Sequence, residues 1–384
     1  MQSSNIKYLP QVDHLRAFAA IWIILYHSLQ LLGSVMLSGK TFSPVPWPEA
    51  SSPITSFIIE GHSAVALFMV LSGFIFSYGA YGKTVSYKDF IFNRVLRIYP
   101  LFIALMMLSI LVDPSKFSTL DTISTLFFLG DVGNLKTNDI IGMSWAVAVE
   151  FQFYLIFPFV LASLNSSAIR TVIGIILVAT VFRALAVGYD ANARDLSYFH
   201  ISGRIDQFVL GMGAAVLFKA VEGRKKLLAS MMIGSAIAVV VMLFVLNKNG
   251  GWLADGFWKI FWPTIEGCVY ALFIVGYVGT RNLFPNILSG LICRVGECSF
   301  SIYLLHFPIV ILIARKPNLQ WHPTGVPMYD FAATLLLIAI PVTLVVSFLT
   351  YRVIELPFLS RRRKYLNLVP QSPLIKLNAQ VRLD

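Results

Sequence analysis

Two residues that can do chemistry interrupt an apolar stretch near the N-terminus. Arg16 and His27 lie in the sequence VDHLRAFAAIWIILYHS. If the stretch is a helix, they share one face to within roughly 20° and are separated by about 16 Å along the axis. Such a face suits a ligand with an anionic head at Arg16 and a reactive end at His27. The alternative is an arginine that reaches the membrane surface and a histidine that only packs.

A pair of arginines recurs further along the chain. Arg94 and Arg97 occupy positions i and i+3 in FNRVLRIYP, which we place at the cytoplasmic edge of the third predicted span. Two guanidinium groups on one face suit a phosphate group, because each presents a planar fork of donors. Positive anchoring at the membrane surface explains the same pattern, although lysine would anchor equally well.

Acidic residues lie within other apolar stretches. Glu150 follows Trp145 in SWAVAVEFQFYLIFP. A carboxylate inside a membrane must form an ion pair, take up a proton or act in chemistry. Asp206, in RIDQFVLGMGAA, and Glu355, in YRVIELP, place further acids near helix ends.

A polar stripe is predicted near the C-terminal end of the chain. Ser299, Tyr303 and His306 have the spacing i, i+4, i+7 in CSFSIYLLHFPIV, so a helix would align them on one face. The sequence does not show which helices touch, so it cannot establish a combined Ser, His and Asp site.

Composition shows what kind of structure must position these residues. The 384 residues are 57% hydrophobic and 13% charged, whereas a soluble domain carries about 25% charged residues. The chain is therefore predicted to be an all-α, polytopic integral membrane protein with the lipid bilayer as a partner. The net charge of +11 is explained by basic loops on one side of the membrane. Nucleic-acid binding is excluded, because no basic run is interleaved with aromatic residues on a polar element.

About ten stretches are long and apolar enough to span a bilayer, which needs about 20 residues. They lie at 15–37, 54–80, 97–112, 144–163, 169–188, 204–221, 227–246, 258–279, 297–314 and 328–350. Residues 118–130 are too short and are predicted to be interfacial or re-entrant. With a cytoplasmic N-terminus, 20 of the 30 Lys and Arg residues fall on the cytoplasmic side. We therefore predict that both termini are cytoplasmic.

The spans predict one membrane domain over 1–360 and a basic cytoplasmic tail over 361–384. The glycines of GMGAAVLF indicate close helix packing. The three cysteines lie in or beside apolar stretches without histidine at metal-binding spacing. We predict no metal site and no bound cofactor.

Seven of these stretches together resemble the acyltransferase 3 family of membrane O-acyltransferases. They are VDHLRAFAAIWIILYH, GHSAVALFMVLSGFIFSY, FNRVLRIYP, SWAVAVEFQFYLIFP, RIDQFVLGMGAAV, ECSFSIYLLHFPIV and YRVIELP, in the family's order. The family's Arg–His arrangement falls on Arg16 and His27, its Arg-x-x-Arg on Arg94 and Arg97, and its glutamate on Glu150.

The resemblance implies transfer of an acyl group, usually acetyl from acetyl-CoA as co-substrate, to a hydroxyl of a glycan such as surface polysaccharide or lipopolysaccharide. The implied location is the inner membrane. Arg94, Arg97 and Arg16 would bind the CoA phosphates, and His27 would be the general base. Glu150 would orient His27 or stabilise its cationic form.

Supporting or acceptor-binding roles are predicted for a further set of side chains: Asp13, Trp145, Asp206, Ser299, Tyr303, His306 and Glu355. A covalent acyl-histidine intermediate stays open. Two other functions also stay open. The first is a secondary transporter or flippase, because buried Glu and His residues also carry protons in transporters. The second is a membrane scaffold or sensor without catalysis.

Overall fold

Apolar stretches of this length form helices, because a helix satisfies its own backbone donors and acceptors where lipid cannot. The computed structural model describes residues 8–128, 139–280 and 282–368. Its helices are α1 Pro10–Ser38, α2 Pro53–Ile59, α3 Ala64–Ala80, α4 Tyr87–Val112, α5 Thr119–Leu126, α6 Ser144–Ser166, α7 Ala168–Gly188, α8 Ala193–Phe199, α9 Ile201–Val221, α10 Lys225–Lys248, α11 Trp262–Gly279, α12 Asn286–Glu297, α13 Ser299–Arg315 and α14 Pro327–Leu359. Two strands, β1 Lys83–Val85 and β2 Leu366–Leu368, form one antiparallel pair.

The prediction of a multi-pass, all-α membrane protein is confirmed. Within the described residues, nine helices are long and apolar enough to cross a membrane, or ten if α12 and α13, bent by 67° against each other, form one span. Residues 119–126 form only a short helix, as expected for a segment too short to span. The last two residues of that predicted segment, 129–130, lie outside the described residues.

One predicted boundary is wrong in a way that matters for the site. The third span was placed at 97–112, but α4 begins at Tyr87. Polar residues in its first turns hid the start of the helix from a search for apolar runs. Arg94 and Arg97 therefore lie two to three turns inside α4 rather than at its edge.

The backbones of α3 and α9 approach so closely that only glycine fits at the crossing. A Cβ atom on Gly73 would overlap the carbonyl oxygen of Phe208, and one on Gly211 would overlap that of Val70. This reciprocal contact confirms the helix-packing interpretation of the glycines in GMGAAVLF. It fixes α3 in the middle of the bundle, and the span Gly61–Ala80, which contains α3, is the most buried of the described spans.

The chain remains packed beyond residue 360. Strand β2 pairs with β1, with Lys83 opposite Leu368. The side chain of Asn93, buried in α4, donates to the carbonyl oxygen of Arg363 and accepts from its backbone N–H, both at 2.8 Å. The start of the predicted tail thus folds back against α4. Residues 369–384 lie outside the described part of the chain.

We expect Gly211→Ala to lower the thermal stability of the purified protein, because the added methyl group forces α9 away from α3. Overpacking of this kind typically costs about 1–3 kcal/mol. The matched control is Gly174→Ala in α7, where a Cβ atom meets nothing within 4 Å. The melting temperatures of both variants are measured by thermal unfolding in detergent, with size-exclusion chromatography as the readout. Equal melting temperatures for Gly211→Ala and the control would show that the crossing is not tight.

Candidate active site

Two histidines from different helices meet in the bundle. The Nδ1 atom of His27, in α1, lies 2.9 Å from the Nε2 atom of His306, in α13, and both side chains are buried. The Nδ1 atom of His306 lies 3.0 Å from the carbonyl oxygen of Ile302. This pair joins two residues that the sequence placed in separate motifs.

The hydrogen bonds assign the tautomer of each ring. A carbonyl oxygen can only accept, so Nδ1 of His306 carries its proton and donates to Ile302. The Nε2 atom of neutral His306 is then an acceptor, and Nδ1 of His27 donates to it. This leaves Nε2 of His27 with the free lone pair. His306 therefore orients His27 as a proton acceptor, much as a second group orients the base in other acid–base sites.

His27 lies in the wall of a cavity beside the second half of α1, named here the histidine cavity. Its empty volume is about 850 Å³, including space that is open to the exterior. Its walls are largely aromatic, with Tyr26, Trp47, Trp145, Tyr198, Phe199, Trp252, Tyr303 and Phe307 among the lining residues. Large, largely apolar cavities with a few polar groups are the usual form of small-molecule sites.

A second cavity lies beside the first half of α1 and is named here the arginine cavity. Its empty volume is about 820 Å³, again including open space. Its polar lining residues are Arg16, Ser72, Arg94, Arg97, Glu150, Tyr154, Ser299 and Tyr303. The three predicted phosphate-binding arginines are thus brought to one cavity, although they come from two helices.

The arginines differ in their partners. Arg97 donates to Glu355 at 2.7 Å, and Glu355 also accepts from Ser301. Arg16 donates to the buried Asp13 at 3.1 Å. Arg94 forms no ion pair with any residue that the structure describes, and its guanidinium lies 4.7 Å from the centroid of the Phe76 ring. Its charge is held by aromatic faces and is open to a ligand anion.

Sequence reasoning missed a fourth arginine near this cavity. Arg362 is brought there by the backbone pairing of the next residue, Arg363, with Asn93. Burial and the positive charges of Arg97 and Arg94 lower the pKa of Arg362 to about 10. The run RRRK at 361–364 was assigned to the basic cytoplasmic tail, and nothing in the sequence distinguishes its second arginine from its neighbours.

Glu150 lies in the arginine cavity and not beside His27. Its Oε1 atom accepts from Ser72 at 2.7 Å and from the hydroxyl of Tyr154. Among the described residues, the structure shows no hydrogen bond between Glu150 and His27. The hydrogen-bond partner that the structure gives to His27 is His306, on α13. The role predicted for Glu150, to orient His27 or stabilise its cationic form, stays a prediction.

The two cavities share two lining residues, Val65 and Tyr303. These side chains therefore form the boundary between the cavities. Arg16 and His27 share a helix face as predicted, yet they line different cavities on the two sides of this boundary. Ser299 lines only the arginine cavity and Trp145 only the histidine cavity.

Asp206 belongs to neither cavity. It pairs with the fully buried Arg183 at 2.9 Å and accepts from Thr264 at 2.5 Å, which joins α7, α9 and α11. A buried carboxylate with these partners is satisfied by the protein itself. These contacts connect the three helices.

A buried polar network next to the histidine cavity was also missed. Glu60 accepts from His62 at 2.9 Å and from Trp47 and Asn247, each at 2.7 Å. The residues come from separate parts of the chain, so no sequence motif marks them.

A small pocket continues from this network, lined by His62, Arg194, Ser197, Tyr198, Arg204, Trp252, Lys259, Trp262, Pro263 and Glu266. It shares Tyr198 and Trp252 with the histidine cavity, so the polar network and the aromatic walls form adjoining surfaces.

Comparison with known proteins identifies the class. Residues 9–352 match the Acyltransferase domain family, Acyl_transf_3. The match covers most of the chain, and the protein belongs to this acyltransferase 3 family of multi-pass membrane proteins.

Curated relatives include the O-acetyltransferase OatA of Staphylococcus aureus strains NCTC 8325 / PS 47 and MRSA252. Each is 25% identical to this chain over an alignment of 397 positions. The alignment covers 95% of this chain and 59% of the relative. The chain thus spans about three fifths of the length of these relatives. No solved structure matches the chain significantly.

The pocket beside the histidine cavity provides a test of pH dependence. Lys259 lies in the 3₁₀ turn Phe257–Ile260, and burial lowers the pKa of its ammonium group from 10.5 to about 8. At a pH between these two pKa values, Lys259 keeps its proton in the unfolded chain but has released it in the folded chain. Wild-type stability should therefore rise with pH across this window relative to Lys259→Met.

Melting temperatures of both proteins at pH 7.5, 8.5 and 9.5 measure this effect, and other titrating groups cancel in the difference. A difference between wild type and Lys259→Met that stays constant with pH would contradict the lowered pKa.

Proposed function

We propose that this protein transfers an acetyl group from acetyl-CoA to a hydroxyl group of a glycan at the inner membrane. The observation that carries the proposal is the meeting of two cavities at Val65 and Tyr303, one with arginines and one with an oriented histidine. Family membership and the printed name of OatA, an O-acetyltransferase, support the type of reaction.

The arginine cavity suits the CoA end of the donor. CoA carries several phosphate charges, and guanidinium groups bind phosphate through paired, charge-assisted hydrogen bonds. Arg94 is available without breaking an ion pair, and Arg16, Arg97 and Arg362 lie close by. The distance of about 16 Å between the levels of Arg16 and His27 is one that the long pantetheine arm of CoA can span.

The histidine cavity suits the acceptor. The aromatic rings of Trp47, Trp145 and Trp252 offer flat apolar surfaces of the kind on which sugar rings pack, and the neighbouring network offers polar groups. In the reaction, Nε2 of His27 takes the proton of the acceptor hydroxyl as its oxygen attacks the acyl carbon. Because Nδ1 of His27 is bonded to His306, the lone pair on Nε2 of His27 points away from His306.

The orientation in which both termini are cytoplasmic stays a prediction, and it agrees with a donor that enters from the cytoplasm. A flippase would also need two cavities with a boundary between them. Labelled acetyl-CoA added to inside-out membrane vesicles separates these functions, because only the acyltransferase places alkali-labile label on a glycan. Vesicles that bind acetyl-CoA but never label a glycan would contradict the proposal.

For the donor, we expect Arg94→Gln and Arg362→Gln each to weaken CoA binding by roughly 10- to 100-fold, the loss of a charge-assisted bond of about 1.5–3 kcal/mol. The matched control is Arg361→Gln, because Arg361 is exposed and adjacent to Arg362. Isothermal titration of CoA into the purified proteins gives the dissociation constants. If all three variants bound CoA with equal affinity, Arg94 and Arg362 would not be the residues that bind the CoA phosphates.

For the base, we expect His27→Ala to lower transfer per folded molecule by about 10²–10⁴-fold while CoA binding persists. His306→Ala should give a smaller loss, since it removes the orienting partner and leaves the base. His322→Ala serves as control, because that side chain is 53% exposed. Near wild-type turnover in His27→Ala would assign the histidine to packing alone.

A further inference from the structure

Tyr303 is a buried tyrosine whose hydroxyl makes no hydrogen bond with any residue that the structure describes. The residue as a whole is 7% exposed. Other buried tyrosines of the bundle find partners: Tyr154 donates to Glu150, and the hydroxyl of Tyr270 lies 2.6 Å from that of Ser63. Burying a hydroxyl without a partner costs roughly 1–3 kcal/mol. The hydroxyls of Ser28, Ser77 and Ser347 are also buried without a partner among the described residues, but none of these serines lines either cavity.

Tyr303 lies at the boundary between the two cavities. Tyr303 lines both of them. Its ring lies between Phe68, at 6.3 Å between centroids, and His306, at 5.8 Å. Tyr303 precedes His306 by three residues on α13, and His306 holds His27. One helix therefore fixes both the phenol and the orientation of the base.

We infer that the Tyr303 hydroxyl donates a hydrogen bond to the carbonyl oxygen of the acyl group during transfer. The inference rests on the proposed function and assigns a further catalytic residue to it. An acyl group that passes from the arginine cavity to the histidine cavity must pass this side chain. The carbonyl oxygen of the acyl group can only accept hydrogen bonds. An acceptor is the partner that the Tyr303 hydroxyl lacks.

The step balances as follows. The acceptor oxygen bonds to the acyl carbon while Nε2 of His27 takes the hydroxyl proton. The electron pair of the C=O bond moves to the carbonyl oxygen, and Tyr303 stabilises the resulting negative charge as an oxyanion-hole donor. The carbonyl then re-forms, the C–S bond breaks, and the CoA thiolate takes the proton from His27. The products are an acyl ester and free CoA, with the enzyme unchanged.

Two inert CoA analogues test the contact without turnover. One is the ketone in which CH₂ replaces the sulfur of acetyl-CoA, which keeps the carbonyl. The other is S-ethyl-CoA, which lacks it. We expect the purified full chain to bind the ketone roughly 3- to 10-fold more tightly, the value of one hydrogen bond. Tyr303→Phe should abolish this preference, and Tyr99→Phe, at a tyrosine that lines neither cavity, should keep it.

Turnover and stability separate this role from packing. Tyr303→Phe should lower kcat for acetyl transfer by about 10²–10³-fold, while the KM for acetyl-CoA rises by no more than the roughly 3- to 10-fold that the ground-state hydrogen bond contributes. Its melting temperature should not fall, because the substitution removes a hydroxyl that has no partner. A packing role predicts the opposite, a lower melting temperature with kcat per folded molecule preserved.

The outcomes are distinguishable from failure of the proposed function. If wild-type protein binds both analogues equally, or if Tyr303→Phe keeps the preference for the ketone, the inference is overturned while the donor assignment stands. If wild-type protein binds neither analogue, the donor assignment itself is rejected, and the inference falls with it.

Discussion

The close crossing of α3 and α9 is the contact on which the arrangement of the site depends. Gly73 and Gly211 let the two backbones touch, and a single methyl group at either position would push them apart. Helix α3 carries Val65, at the boundary of the two cavities, and Ser72, which binds Glu150. Because lipid supplies no hydrophobic force between helices, close packing of small residues must supply the cohesion that water provides in soluble proteins.

The cost of placing charge in a membrane explains how the remaining polar residues are arranged. Arg183 pairs with Asp206, and Arg97 pairs with Glu355, so each charge is compensated within the protein. Arg94 is different, since it forms no ion pair with any described residue and its guanidinium lies against the rings of Phe76, Phe90 and Tyr154. This difference separates arginines that hold helices together from one that is free to bind an anion.

The pair of His27 and His306 connects this framework to chemistry. A histidine alone in a bundle has two tautomers and several rotamers, and neither is fixed in advance. The bond to His306, itself anchored on the Ile302 carbonyl, selects one tautomer and one ring position. Preorganisation of this type lowers the entropic cost of reaching the reactive arrangement. The same helix carries Tyr303, so donor carbonyl, base and acceptor would meet at one level of the bundle.

The sequence by itself determined the class of fold, because composition and the length of apolar runs decide whether a chain can cross a bilayer. It also marked Arg16, His27 and His306 as candidate site residues, since each is an ionisable residue in an apolar run, and Arg94 and Arg97 by their i, i+3 spacing. It could not decide their partners, because pairing depends on which helices touch, and that information is not local.

Only the tertiary structure placed Glu150 away from His27, paired His27 with His306 and brought Arg362 close to Arg94 and Arg97. It also showed that Tyr303 lines both cavities and that its hydroxyl has no partner among the described residues. Such facts arise from contacts between residues far apart in the chain. The packing of whole helices sets these contacts, and the periodicity of any one helix does not contain them.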